Sequence, residues 1–313
     1  MTSINELPCA RLFSNWSKLL TTALTCAFLG ATGATAWAQS KAAAKDHNAR
    51  TTIEPGAVKL LELDPKNFDR SENIDHAYWP LKPGMQWIYE GYSMDEGKKT
   101  PHRIIFSVTD MVKVIGGVRA RVIFDADYTK GKLTEKELTY FAQDKQGNVW
   151  HLGQYREVHE DEFVGGRIWT VDNPTGAKAG IMVPRVEDLK VGNLSFSQGY
   201  APPPFNWTDR GRVFQIGQKV TVKAGSYNDV VVFEEFDSEH PGEVQLKYYA
   251  RGVGNVKIGA AGKRGEKVEE LELVKVHQLG ATEFAEIRRL TIELEKRGSA
   301  FPMNPPMEQS PAK

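Results

Sequence analysis

Cysteine is scarce in this chain. Its 313 residues include two, Cys9 and Cys26, both ahead of residue 39. Beyond that point no thiol exists for a cysteine nucleophile, a thiolate metal site or a disulfide. Net charge is missing as well, because 40 Lys and Arg balance 40 Asp and Glu. Without a basic excess the chain lacks the footprint that phosphate neutralisation demands, so no nucleic acid is expected as a partner. After the first 38 residues no run reaches the roughly 20 apolar residues that a helix needs to cross a bilayer, and no transmembrane anchor is expected. Phosphate loops fail too: Gly252-Val-Gly254 lacks a third glycine, and Gly262-Lys263 is followed by Arg264 where Ser or Thr is required. What remains, at 41% hydrophobic and 10% aromatic, is an ordinary folded composition.

The first 38 residues read as a secretory signal peptide. Arg11 and Lys18 precede the apolar stretch Leu19 to Trp37, and Ala36-Trp37-Ala38 is a small-x-small cleavage site before Gln39. A periplasmic or secreted protein is the expectation. Cys26 is a poor lipidation candidate, because Ala23-Leu24-Thr25 ahead of it lacks the usual Leu and small residue. Cleavage would remove Glu6, Arg11, Lys18 and both cysteines, leaving 38 basic residues (40 minus 2) and 39 acidic ones (40 minus 1). A mature chain of that length can bury enough apolar surface to fold without disulfides. Residues 39–55, rich in Ala, Lys and Asn without period, read as a flexible segment, and 299–313, with four prolines, as a disordered tail.

Between the tails the apolar residues recur with period two. Val118, Ala120, Val122, Phe124, Ala126 and Tyr128 share one strand face, and Arg119, Arg121, Asp125 and Asp127 the other, which reads as the wet face. Gly116-Gly117 suits a two-residue hairpin turn, pairing Ile105 to Ile115 with Val118 to Tyr128. Further hairpins are expected at Asp144 to Gly147, at Gly165-Gly166 and at Gly225 to Asn228. Such strands without helical patterns between them predict a mainly β fold over residues 56–278. They would form antiparallel curved sheets, as a sandwich or an open half-barrel, with one sheet or two lobes meeting near 185–210. One C-terminal helix is expected at 279–298. Phe284, Ile287, Leu290 and Leu294 form its apolar stripe, Glu283 and Glu286 sit in the first turn, and Lys296 and Arg297 in the last.

Four segments carry a resemblance: Pro80-Leu-Lys-Pro-Gly-Met-Gln-Trp-Ile-Tyr-Glu-Gly91, Tyr140-Phe-Ala-Gln-Asp-Lys-Gln-Gly-Asn-Val-Trp150, Val222-Lys-Ala-Gly-Ser-Tyr-Asn-Asp-Val-Val-Val232 and Tyr248-Tyr-Ala-Arg-Gly-Val-Gly-Asn-Val256. In this order, over about residues 78 to 258, they resemble a broad group of secreted, envelope-type bacterial β-rich proteins that lack an assigned activity. The resemblance implies an exported β protein and transfers no catalytic residue.

Candidate chemistry is sparse. Ser195-Phe-Ser197-Gln-Gly199 falls one residue short of a nucleophile elbow, and the prolines after Gly199 cannot start the helix that an elbow needs. His151 and His159 lie roughly 26 Å apart along a straight strand at about 3.3 Å per residue, too far to share an ion, and neither metal nor cofactor is expected. A four-residue loop at Asp144 to Gly147 would set Gln143 opposite Asn148 and therefore Tyr140 opposite His151, with Tyr155 further along the same face. Imidazole accepts a proton near neutral pH and a phenol delivers one, so Tyr140, His151 and Tyr155 are the catalytic candidates. Tyr200, Phe205 and Trp207, on the loop Tyr200-Ala-Pro-Pro-Pro-Phe-Asn-Trp207, are the ligand-binding candidates. Two functions fit: binding of a glycan-like or apolar ligand or an envelope partner on a concave sheet face, or hydrolysis or lysis of a polysaccharide or other polymer.

Overall fold

A computed structural model of the protein describes residues 59–95, 97–159, 163–203, 205–262, 268–299 and 307–309. The signal peptide at 1–38, Cys26 and the segment 39–55 lie outside the described residues. The first six strands are β1 (Met85–Asp95), β2 (Lys98–Ile115), β3 (Val118–Thr129), β4 (Lys132–Gln143), β5 (Val149–His159) and β6 (Phe163–Thr170). Short β7 (Gly180–Val183) and β8 (Phe196–Ser197) precede β9 (Arg210–Val222), β10 (Gly225–Phe236), β11 (Glu243–Ala250), β12 (Gly254–Gly262) and β13 (Glu269–Gln278). Helix α1 (Ala281–Gly298) and strand β14 (Met307–Gln309) follow. All the strands join one antiparallel sheet in the order β6-β5-β4-β3-β2-β1-β13-β12-β11-β10-β9-β8, with β7 added to β5 and β14 to β2. The sheet is open and does not close into a barrel. β14 arises within 299–313, where it pairs with Met111 to Lys113 of β2.

Both faces of this sheet are covered. On one, the predicted apolar set of β3 lies beneath α1, where Ile287 and Leu294, flanked by Phe284 and Leu290, pack with Val122, Phe124, Leu138, Tyr140 and Tyr155. The helix starts where Glu283 Oε2 accepts the Gly280 N–H at 3.0 Å. It is tied down by Arg297 Nε donating to Glu157 Oε1 at 2.6 Å and by Lys113 Nζ donating to Glu295 Oε1 at 2.7 Å. Lys113 is fully buried, and burial pushes its pKa down and that of Glu295 up.

On the other face the sheet curves over itself. Trp79, from the loop before β1, packs against Phe141 of β4 (ring centroids 4.8 Å apart) and Tyr249 of β11 (6.0 Å), bridging the two halves. Phe233 of β10 continues this core against Tyr249 and Phe196. The two ends of the sheet meet at one bridge, where Lys178 and Tyr200 exchange both backbone hydrogen bonds at 2.8 Å.

Three local expectations are corrected. Gly165 and Gly166 do not turn a hairpin; they lie inside β6, opposite Val158 and Glu157. A Cβ at Gly166 would come within 2.6 Å of the Tyr155 hydroxyl, so close approach rather than turn geometry accounts for that glycine. The β9–β10 turn falls at Lys223-Ala224 rather than at Gly225 to Asn228, and the Ala224 N–H is held by the Leu273 carbonyl at 3.0 Å. The third correction moves the candidate site. Asp144 to Asn148 forms the β4–β5 loop, so Gln143 faces Val149, and a bulge then shifts the register so that Phe141 faces His151 and Tyr140 faces Gly153. Gly153, at φ +145°, supports this bulge.

A Cβ at Gly153 would sit 2.3 Å from the Trp169 carbonyl oxygen and 2.8 Å from Thr170 Cα, both backbone atoms of the neighbouring strand. Gly153→Ala should therefore cost about 1–3 kcal/mol of unfolding free energy, the scale of a strained backbone position. Urea denaturation measures it, and an unchanged midpoint would contradict this placement of the bulge.

Candidate functional site

The bulge at Gly153 separates the residues that the sequence groups together. Tyr140 and Tyr155 are buried on the helix-covered face, where the Tyr155 hydroxyl donates to Glu157 Oε1 at 2.8 Å and Lys113 Nζ lies 5.1 Å from the Tyr140 ring centre. His151 projects from the opposite face. The Tyr140–His151 pair therefore does not form, because one extra residue on a strand inverts every side chain after it.

His151 instead meets the predicted ligand-binding loop. Its ring lies 4.9 Å from Trp169, 5.3 Å from Trp207 and 5.2 Å from Phe141, and Phe205 packs on Trp169 at 6.2 Å. Tyr200 contributes its backbone to the bridge between the sheet ends. His151 Nδ1 faces the Gln198 carbonyl at 3.2 Å, which can only accept, so Nδ1 carries the proton and Nε2 is the acceptor. Burial holds the His151 pKa down to about 4, leaving a neutral imidazole in an aromatic packing cluster. With His151 and Trp169 only 2% and 1% exposed, this cluster is closed.

Beside it lies a hollow that the sequence reading passed over. Asp125 and Asp127, on the face of β3 read as wet, turn inward beneath the curved sheet, on the same strand face as the core residue Ile123. The β3–β4 register sets Asp125 directly opposite Glu137 and Asp127 opposite Glu135. Like charges facing each other across a ladder oppose pairing on the order of 1 kcal/mol per pair. Positive charge nearby comes from Arg156 of β5, which bonds Glu135, and from His102, whose Nε2 lies 3.6 Å from both Asp127 Oδ2 and Glu269 Oε1. Next to these pairs, a cavity of about 310 Å³ is lined by Arg156 and Glu269 together with Asp209, Glu235, Asp237 and Glu243, and not by the four facing carboxylates themselves.

The electrostatics follow from crowding. Asp125 and Glu137 are largely shielded by protein, and desolvation followed by neighbouring carboxylates pushes both pKa values well above the usual range. Desolvation, reinforced by Glu235 and Asp237, pushes Asp209 up to about 7. Burial works against a charged His102, yet Asp127 and Glu269 prevail and raise it.

Along the same wall a row of buried polar groups lacks hydrogen-bond partners among the described residues: Thr139 Oγ1, Gln154 Oε1, Trp169 Nε1 and, one step away, His151 Nε2. Thr139 faces Gln154, and Gln154 faces Trp169, across three adjacent strands, two residues along from the Glu137–Arg156 pair. The row is mixed in kind: Gln154 Oε1 and His151 Nε2 accept, Trp169 Nε1 donates, and the Thr139 hydroxyl can do either. The alternation in β3 and β4 exposes this signal in the sequence, since Asp125, Asp127, Glu135 and Glu137 share one face once the turn at Lys130-Gly131 is placed. No three described His, Asp or Glu side chains converge as a metal site requires, and no described helix is long and apolar enough to cross a membrane.

An Asp whose folded pKa lies near 7 against about 4 unfolded keeps its proton in the folded state over that window while the unfolded chain releases it, so its contribution to stability falls as pH rises from about 4 to 7. Asp209→Asn should remove that contribution. Thermal melts across pH 4 to 8 should show the variant gaining on the wild type as pH rises, and parallel profiles would contradict the assignment.

No family model matches the chain, and no curated protein does. Two solved structures show similarity. One is a candidate exported protein with YmcC-like fold from Bacteroides fragilis, 14% identical, with a TM-score of 0.38 over 64% of this chain and 99% of that one. The other is a candidate lipoprotein from Parabacteroides distasonis, 12% identical, with a TM-score of 0.35 over the same shares.

Proposed function

We propose that this is an exported binding protein that takes a polar ligand with both hydrogen-bond donors and acceptors into the hollow of its curved sheet. The observation that carries the reading is the row of buried polar groups without partners among the described residues, with Gln154 Oε1 at its centre, two residues along from facing carboxylates. An apolar ligand would leave those groups unsatisfied at a cost of about 1–3 kcal/mol each, whereas a ligand that offers a donor to Gln154 Oε1 and an acceptor to Trp169 Nε1 satisfies them. The apolar interior is filled by Trp79, Phe141, Tyr249 and Phe233, and the cavity lies beyond it, where Arg156 and Glu269 face Asp209 and Glu235. Export rests on the leader, Arg11 to Ala38. Polymer hydrolysis by Tyr140, His151 and Tyr155 loses its motive because the bulge places them on opposite faces.

Protein recovered from the exported fraction, beginning at Gln39 by intact mass, is the material for the test. Calorimetric titration with neutral oligosaccharides, amino sugars and small amines should find a polar ligand that binds one to one. Gln154→Met, close in volume and without an amide, should weaken it about 10-fold or more while folding at least as stably as the wild type. Binding undiminished in Gln154→Met, or no binding from any class, would contradict the reading.

A further inference from the structure

We infer that His102 is a pH-sensitive clasp: as an imidazolium it ties β2 and β3 to β13 beside the cavity, and as a neutral ring it lets them go. The device belongs to the fold and stands whether or not the hollow takes a ligand.

Position is the first argument. His102 lies on β2 and Glu269 on β13, with β1 between them, and Gly91 of β1 pairs with His102 on one side and Leu271 on the other. Neighbouring strands stand about 4.8 Å apart, so a side chain on β2 reaches β13 only by passing over β1. Gly91 has no side chain to stand in the way, and a Cβ there would meet the Glu270 carbonyl oxygen at 1.9 Å. His102 Nε2 lies 3.6 Å from Asp127 Oδ2 of β3 and 3.6 Å from Glu269 Oε1 of β13. Glu269 in turn lines the cavity and accepts a hydrogen bond from Gln245 Nε2 of β11 at 3.1 Å. His102 is 7% exposed, and its Nε2 has no hydrogen-bond partner among the described residues.

The second argument is the placing of the protons, which the hydrogen-bond network assigns. Thr134 Oγ1 donates to the Asp127 carbonyl at 3.3 Å, which leaves Thr129 Oγ1 to donate to Thr134 Oγ1, also at 3.3 Å. With its own proton committed, Thr129 Oγ1 accepts from His102 Nδ1–H at 3.1 Å. A neutral ring with its proton on Nδ1 would aim the Nε2 lone pair at two carboxylates. An imidazolium donates from both nitrogens and meets that negative charge with Nε2–H.

The remaining charges around the ring keep this balance. Glu135 of β4 adds a third carboxylate to its field and is itself bonded by Arg156 of β5, while Lys132, opposite Thr129, is exposed at the start of β4. Glu90 and Arg103, next in sequence to Gly91 and His102, pair with each other on the opposite sheet face. Burial opposes the charge, but the carboxylates outweigh it and hold the His102 pKa above its ordinary value. A His pKa raised by folding contributes stability that is complete below about 6.5, the unfolded value, and is lost as pH rises through the folded one. Above that pH Asp127 and Glu269 flank an uncharged ring, and the β1–β13 ladder beside the cavity loosens.

The test is proton NMR of the imidazole resonances of the full chain across pH 5 to 9, with His102→Gln identifying the resonance. His102 should titrate above about 6.5, and Glu269→Gln should lower that pKa by about one unit, as should Asp127→Asn, because each removes a carboxylate within about 4 Å. Amide hydrogen exchange, corrected for the intrinsic rate, reads the clasp itself. Protection of Gly91 to Ser93 and of Glu269 to Leu271 should fall about 10-fold from pH 6 to pH 8.5 in the wild type, the equivalent of one pKa unit, and stay level in His102→Gln and Glu269→Gln. The Glu269 side chain is 28% exposed, so Glu269→Gln gives the reading if His102→Gln does not fold. His102 titrating at or below 6.5, a pKa unmoved by Glu269→Gln, or the same pH profile of protection in wild type and variants overturns the inference.

Discussion

A sheet has two faces, and in this protein neither is left to solvent over the half formed by β2 to β6. One face is covered by α1, and the other by the remainder of the same sheet, curved back through Trp79 to meet it. Every position in these strands is therefore interior in one sense or another, and the period-two pattern distinguishes two interiors instead of an inside and an outside. Where the concave interior is apolar it closes. Where Arg156 and Glu269 face Asp209 and Glu235 it leaves a cavity, because desolvating unpaired acids is costly.

That hollow contrasts with the ion pairs on the other face. Lys113 with Glu295 and Arg297 with Glu157 are matched in charge and fasten the helix. The carboxylates of Asp125, Asp127, Glu135 and Glu137 outnumber their counterions, and elevated pKa values let some of them hold protons instead of partners. The first arrangement is balanced in charge, and the second carries an excess of acid.

Much of this architecture was legible in the sequence. The alternation from Val118 to Tyr128, the Gly116-Gly117 turn and the stripe Phe284, Ile287, Leu290 and Leu294 each reflect a single local preference that tertiary packing leaves intact. What escaped depends on contacts distant in sequence. Gly153 reads as one more glycine in a strand, and only the carbonyl of Trp169 pressed against it shows why a bulge falls there. Gly166 is needed for the Tyr155 ring, and the Lys223-Ala224 turn is fixed by Leu273. The wet face of β3 was correctly separated from the apolar one, but a polar face reads the same whether it meets bulk water or a hollow that the far half of the chain encloses.

The account turns on those carboxylates being crowded together without enough positive charge to ionise them all. Carbon-13 NMR titration of Asp and Glu side-chain carboxyls measures this directly, residue by residue. Asp125 and Glu137 should titrate well above the ordinary carboxylate range of about 4, with Asp209 near 7. Ordinary values near 4 for Asp125, Glu137 and Asp209 would show that the acids are separately solvated, and would contradict their crowding.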